Sequence, residues 1–297
     1  MRRMYAFTLL LGVILGAGDQ AGAQIVMPDL SPFATVTQRV GLNEVRIEYS
    51  RPSVRGRVIY GELVPYGKVW RTGANASTKI YVREPLIVQD ALELPPGVYA
   101  LYAIPGKDEW TLIISRDPWL WGAFGYKEDF DALRFQVKPR QLKEPVETFT
   151  IQFDNVCSSC AEIQLSWDFT KVSFRISTNL DEQVMADIKS FTSNPEAKLG
   201  GEYYVAAKYY LDTNRDLPQA LEWIGQALKY SPGAYWMTHT KAEIQARMGD
   251  YKSAIETAKR SLDEAKEKND ADYVRMNEIE IEKWKGARKG QKPGSTY

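Results

Sequence analysis

The chain has one histidine, His239, and two cysteines, Cys157 and Cys160, among 297 residues. That scarcity excludes much familiar site chemistry. A Ser-His-Asp or Cys-His arrangement would have to use His239. This residue lies in a helical pattern near Lys241 and Glu243 and reads as an ordinary packed or surface helix residue. Zinc and related metal sites need several imidazole or thiolate ligands. Here the cysteine pair and the histidine lie far apart in sequence, so no metal and no cofactor are expected. The phosphate-cradling G-x-x-x-x-G-K-S/T and the dinucleotide G-x-G-x-x-G are both absent. Formal net charge is +0, which argues against a general polyanion-binding surface, and no nucleic-acid partner is expected.

Long apolar runs are also missing after the first residues. The opening MRRMYAFTLLLGVILGAGDQAGAQ has a basic start at Arg2 and Arg3. An apolar stretch follows from Ala6 to Ala17, then a small-residue site at Ala21-Gly22-Ala23. This is the pattern of a secretory signal peptide over 1–23, cleaved before Gln24. Its apolar run falls short of the roughly 20 residues that a membrane span needs. No cysteine sits at the cleavage site, so a lipid anchor is not expected. The mature chain should be exported, periplasmic or secreted, with no transmembrane segment.

What is present divides in two, as the length suggests. From Phe33 to Ser177 the hydrophobic period is two. Val45, Ile47 and Tyr49 alternate with polar residues, as do Trp110, Leu112 and Ile114. Phe149, Ile151 and Phe153 follow the same rule, then Ile163, Leu165 and Trp167, then Val172, Phe174 and Ile176. Each run predicts a half-buried strand. Further strands fit Phe33–Val40, Lys79–Arg83, Leu86–Leu94 and Val98–Pro105. Pro95-Pro96-Gly97, Pro105-Gly106-Lys107-Asp108 and Asp168-Phe169-Thr170 read as turns. This spacing predicts an antiparallel β-sandwich or jelly-roll-like domain over 24–177.

At Thr178 the pattern becomes helical. Segments 195–213, 216–230, 234–248, 250–268 and 270–286 read as helices, and the polar end 287–297 as a flexible tail. Asp216 and Asp250 stand 34 residues apart. At that offset Ala220 matches Ala254, Leu221 matches Ile255 and Leu228 matches Leu262. The period resembles tetratricopeptide helix pairs, which serve as protein-binding grooves or as braces.

The stretch Arg51–Val82 stands apart from both patterns. It holds four arginines, four glycines, two prolines, three tyrosines and one tryptophan, and Glu62 is its only acid. Prolines and glycines at this density oppose regular structure. The stretch predicts a long structured loop of the kind that carries function. Arg51, Arg55, Arg57 and Arg71 could converge on an anion, because guanidinium matches carboxylate or phosphate bidentately. They could equally hold the loop by bonding Glu48, Glu62 or its own carbonyls. Candidate ligand-binding residues are Arg51, Arg57, Tyr66, Trp70, Arg71, Thr72 and Asn75. Trp119 and Trp121, in an aromatic group beside Gly122-Ala123-Phe124-Gly125, join them as stacking surfaces.

Two other groupings are weaker. Cys157-Ser158-Ser159-Cys160 falls between strand patterns, so it predicts a disulfide across a hairpin turn rather than a redox helix. Glu128, Asp129 and Asp131 are acids of a loop or helix start. A pair drawn from Glu62, Asp129 and Asp131 is the alternative that would make the chain a hydrolase of glycans or envelope polymers.

The segments RPSVRGRVIYGELVPYGKVWRTGANASTKI, LPPGVYALYAIPGKDEWTLIIS, WGAFGY and QLSWDFTKVSFRI run in this order between roughly Pro28 and Ile176. Together they resemble the family called domain of unknown function 2911. The resemblance implies an exported bacterial β-rich domain, often followed by helical repeats. It implies no reaction and carries over no catalytic residue, and the cysteine pair is not part of its pattern. The expectation is an exported, non-catalytic binding or scaffold protein. A small polar or glycan ligand would sit at the arginine-rich loop, and a protein partner at the helical repeats.

Overall fold

A computed structural model describes residues 27–194 and 200–290. The predicted signal peptide lies outside them. The chain divides into two units, 1–179 and 180–297, which are described separately.

The first unit holds ten strands in two antiparallel sheets. β1 (Phe33–Val40), β2 (Asn43–Ser50), β3 (Thr78–Val82), β6 (Gly97–Ile104), β7 (Trp110–Ser115) and β8 (Asp131–Val137) lie in that order in a six-stranded sheet. β5 (Leu92–Leu94), β4 (Leu86–Val88), β10 (Cys160–Ser177) and β9 (Arg140–Asp154) form the four-stranded sheet. The alternating residues do what the pattern asks. Ile47, Ile80, Leu101 and Leu112 from one sheet share a buried core with Phe149, Leu165, Trp167 and Phe174 from the other. Each such side chain is worth about 1.5–3 kcal/mol when fully buried, so this shared face is the main source of stability.

Three local features depart from the sequence reading. Leu86–Leu94 is a hairpin rather than one strand. Gln89 and Asp90 both have positive φ, 52° and 59°. Neither is glycine, so nothing in the sequence marked the turn. Asp131–Val137 is a strand on the open edge of the six-stranded sheet, although Asp131 reads as an acid of a loop or helix start; Glu128 and Asp129 do begin a short helical turn before it. The two runs around Trp167 and Phe174 belong to one strand, β10. The Asp168-Phe169-Thr170 signal is a bulge, with register shifts against β9 on both sides of Asp168 and φ 51° at that residue.

The second unit is six helices, α1 (Leu180–Ser193), α2 (Gly200–Asp212), α3 (Leu217–Tyr230), α4 (Tyr235–Arg247), α5 (Tyr251–Glu267) and α6 (Ala271–Gly290). α6 continues to Gly290, so 287–290 are helical and not tail. The repeat offset is structural. Asp216 and Asp250 are both N-caps, accepting from the Gln219 and Ser253 amides at 3.0 Å. Their matched partners Ala220 and Ala254 are fully buried. Between α4, α5 and α6 runs a buried polar seam. Asn277 donates to Ser261 Oγ (3.0 Å) and to the Tyr273 carbonyl (2.8 Å). Its Oδ1 is then an acceptor, which makes His239 Nδ1 the donor across their 2.8 Å contact. His239 is thus a packed helix residue, as its isolation suggested.

Cys157 and Cys160 are joined in the turn between β9 and β10. The cross-link closes so short a loop that chain entropy gives it only about 2 kcal/mol. A Cys157→Ala, Cys160→Ala double variant should therefore stay folded and lose no more than about that in a urea titration. Acid should act on the helical unit. Asp181 is held below the ordinary carboxylate range by hydrogen bonds from Tyr209 and Arg215, Asp250 by its bonds from Ser253, and Asp270 by bonds from the Tyr273 amide and the Tyr235 hydroxyl. A depressed folded pKa gives stability that is complete above the unfolded value of about 4 and is lost as pH falls through the folded value. Helical circular dichroism melts should show a constant midpoint down to about pH 5 and a falling one below about pH 4.

Candidate functional site

The Arg51–Ser77 loop is tied to both sheets. On one side Ser53 bridges Thr148 of β9, with the Val54 amide on the Glu147 carbonyl and the Phe149 amide on the Pro52 carbonyl, both 2.8 Å. On the other, Trp70 and Ala103 of β6 exchange backbone bonds of 2.7 and 2.8 Å. These tethers explain how a segment so rich in proline and glycine is ordered without being a strand. They also aim the Trp70 ring into the core. It stacks on Trp167 at 5.9 Å and 17° and meets Tyr60, Trp110 and Phe149 edge-on. Burial pushes the Tyr60 phenol well above its ordinary pKa, with Asp168 and Tyr66 adding to the effect.

A cleft of ≈ 270 Å³ opens beside this cluster. Arg55, Arg57 and Arg71 line it with Ser31, Ser53 and Gly73, while Leu63, Val64, Trp70 and Trp167 supply its apolar wall. No acid is among its lining residues. None of the three arginines makes an ion pair among the described residues; each is held by backbone carbonyls instead. Arg55 donates to Leu30 (3.0 Å), Arg57 to Val54 and Ser53 (3.0 and 2.5 Å), and Arg71 to Asn75 (2.9 Å). Arg55 and Arg57 are exposed and Arg71 is half-buried. Backbone strain collects here too, with positive φ at Arg55, Thr72 and Asn75.

The predicted residues separate into groups. Arg57, Trp70 and Arg71 line the cleft, though Trp70 is only 9% exposed and its Nε1 already donates to the Gly73 carbonyl at 3.2 Å. Arg51, Thr72 and Asn75 hold the loop together. Arg51 bonds the Phe149 carbonyl and Thr150 Oγ1, Thr72 bonds the Leu101 carbonyl, and the Asn75 amide reaches Ser31 and Ser50. Tyr66 lies over Gly61 outside the lining. Trp119 and Trp121 are exposed on the 116–127 loop and do not line the cleft either. That loop is anchored by Leu120, Ala123 and Tyr126, which pack with Val69 on Ala100, Tyr102 and Ile113 of the six-stranded sheet. Its Gly122 lies against the Arg71 guanidinium so closely that a Cβ there would collide with it.

Sequence reasoning missed Trp167. It is 1% exposed, lines the cleft, and its Nε1 is buried with no hydrogen-bond partner among the described residues. The available signal was a turn motif inside a strand pattern, which marks a bulge next to it. The acids fare differently. Asp131 accepts from the Tyr126 hydroxyl at 2.9 and 2.8 Å and from Arg134 at 3.0 Å, and Glu128 pairs with Arg134 at 3.1 Å. Burial and the Asp131 bond push the Tyr126 phenol up. Glu62 and Asp129 are exposed.

Residues 31–176 match the profile of a family described as a protein of unknown function, DUF2911. The β domain belongs to that family. Every cleft residue except Leu30 falls inside the matched span, so the cleft is a feature of the DUF2911 domain and not of the helices that follow it. No curated protein and no solved structure gives a match.

The contact between the two loops is open to test. Gly122 and Gly125 both have positive φ, 73° and 83°, but a Cβ at Gly125 would meet only Leu120 at an ordinary 3.6 Å. Both alanine variants should lose about 1 kcal/mol to backbone strain. Gly122→Ala should lose more and should lower the thermal midpoint further, because Arg71 must also move. Equal midpoints for the two variants would show that Arg71 does not depend on that contact.

Proposed function

We propose that the DUF2911 domain is a non-catalytic binding module whose small polar ligand occupies the arginine cleft. The observation that carries this reading is the charge of the cleft: three guanidiniums without ion pairs, and no carboxylate among the lining residues. A site built for carboxylate-dependent hydrolysis would place two acids across the cleft, roughly 5–10 Å apart. Here Asp131 is engaged by Tyr126 and Arg134, and Glu62, Asp129 and Asp131 are all absent from the lining. The chain's lone histidine is engaged in the helical seam.

Export of the protein rests on the signal-peptide pattern of residues 1–23. For the helical hairpins we propose a protein partner. A second cleft of ≈ 330 Å³, lined by Glu243, Arg247, Tyr251, Lys283 and Trp284 among others, offers mixed charge and aromatic surface. Among the described residues no helix is long and apolar enough to cross a membrane.

A thermal-shift screen of the purified protein against sugars, glycan fragments, nucleotides and organic acids tests the binding reading. A ligand at about 100 times its Kd stabilises by about 2.7 kcal/mol. The expected result is a shift with at least one polar ligand that is lost in Arg57→Ala. If no ligand shifts the midpoint while the protein cleaves chromogenic glycosides, the hydrolase reading replaces this one.

A further inference from the structure

Two properties of the cleft, taken together, narrow the ligand. The first is which edge of each guanidinium is free. Side-on capture of a carboxylate uses the Nε and Nη2 hydrogens together. Arg57 has both atoms engaged, by the Val54 and Ser53 carbonyls. Arg55 has Nη2 on the Leu30 carbonyl. Arg71 bonds through Nη1 alone, to Asn75, so its Nε and Nη2 make no hydrogen bond among the described residues. Arg71 is also the half-buried one of the three. A partner there would be less screened by solvent than at Arg55 or Arg57.

The second property is the wall. Leu63, Val64, Ala74 and the two tryptophans give apolar surface, which suits an organic body rather than a bare inorganic anion. A volume of ≈ 270 Å³ lies near the lower end of small-molecule sites.

We infer that the cleft binds a small organic carboxylate, with the Nε–Nη2 edge of Arg71 taking the carboxylate side-on and the apolar wall holding its organic body. Arg55 and Arg57 supply positive charge at the rim and hold the loop in shape. This inference rests on the binding reading of the cleft given above.

Isothermal titration calorimetry with four probe groups tests it: aliphatic and aromatic monocarboxylates, short dicarboxylates, inorganic phosphate, and the neutral sugars glucose and N-acetylglucosamine. Wild-type protein would be compared with Arg71→Lys, which keeps the charge and loses the fork. At least one carboxylate should bind, and the variant should weaken it by about tenfold or more, as loss of a hydrogen bond to a charged group implies. If Arg71→Lys fails to fold, the wild-type arginine Nε–H resonances give a second readout, in which the Arg71 proton should move downfield when the carboxylate is added. Binding of phosphate or a neutral sugar alone, or a carboxylate affinity unchanged in Arg71→Lys, would overturn the carboxylate assignment and leave the cleft a binding site. No binding by any probe, with wild type folded, would overturn the binding reading as well.

Discussion

Everything in the β domain that is not sheet depends on how the Arg51–Ser77 segment satisfies its backbone. A chain of that composition cannot form a ladder of its own, yet it runs against a closed hydrophobic core. Its polar groups must find partners there or be left unpaired in a poor solvent. The solution has two parts. Short stretches borrow hydrogen bonds from β9 on one side and β6 on the other. Arginine and threonine side chains then reach the carbonyls left over. The guanidiniums are thus fixed by neutral acceptors, which orient them without cancelling their charge. That arrangement separates a structural role from a binding one. Arg51 and Arg57 use their best edge internally, and Arg71 keeps its own.

Much of this was legible in the residues. Period-two alternation placed the β2 and β3 strands because one face of each is buried and the other is only half-buried; β6 and β7 are buried on both faces, Leu101 and Leu112 on one and Tyr102 and Ile113 on the other. The loop was marked by its glycines and prolines, and its importance by the concentration of arginine. What could not be read was which arginine does what. Whether a guanidinium meets a carbonyl or a ligand depends on residues about a hundred positions away, such as Phe149 and Thr150 for Arg51. Trp119 and Trp121 looked like the stacking surface because loop tryptophans attract that reading. A second tryptophan at the cleft came from a strand, where an aromatic residue reads as core. Trp167 is core and cleft wall at once.

The helical unit was legible for a different reason. A repeat puts the same demand on matched positions, so Asp216 and Asp250 cap, and Ala220 and Ala254 let helices approach closely. The seam of His239, Asn277 and Ser261 breaks that likeness. A buried donor-acceptor chain is satisfied in one alignment of α4, α5 and α6 and in no other, so it fixes how the hairpins slide along one another. A sequence period says that helices pair and leaves their offset open. The polar seam settles that offset for α4, α5 and α6.

The bulge in β10 has an arithmetic consequence. Before it the inward residues are odd-numbered: Ile163, Leu165 and Trp167. After it they are even-numbered: Val172, Phe174 and Ile176. The strand changes parity at Asp168-Phe169-Thr170, and β4 pairs with the far end of the same strand. A strand that ran through that triplet without the bulge would turn half of itself inside out, presenting Lys171 and Arg175 to the core. The bulge absorbs the odd residue and keeps both apolar runs on one face of the sheet.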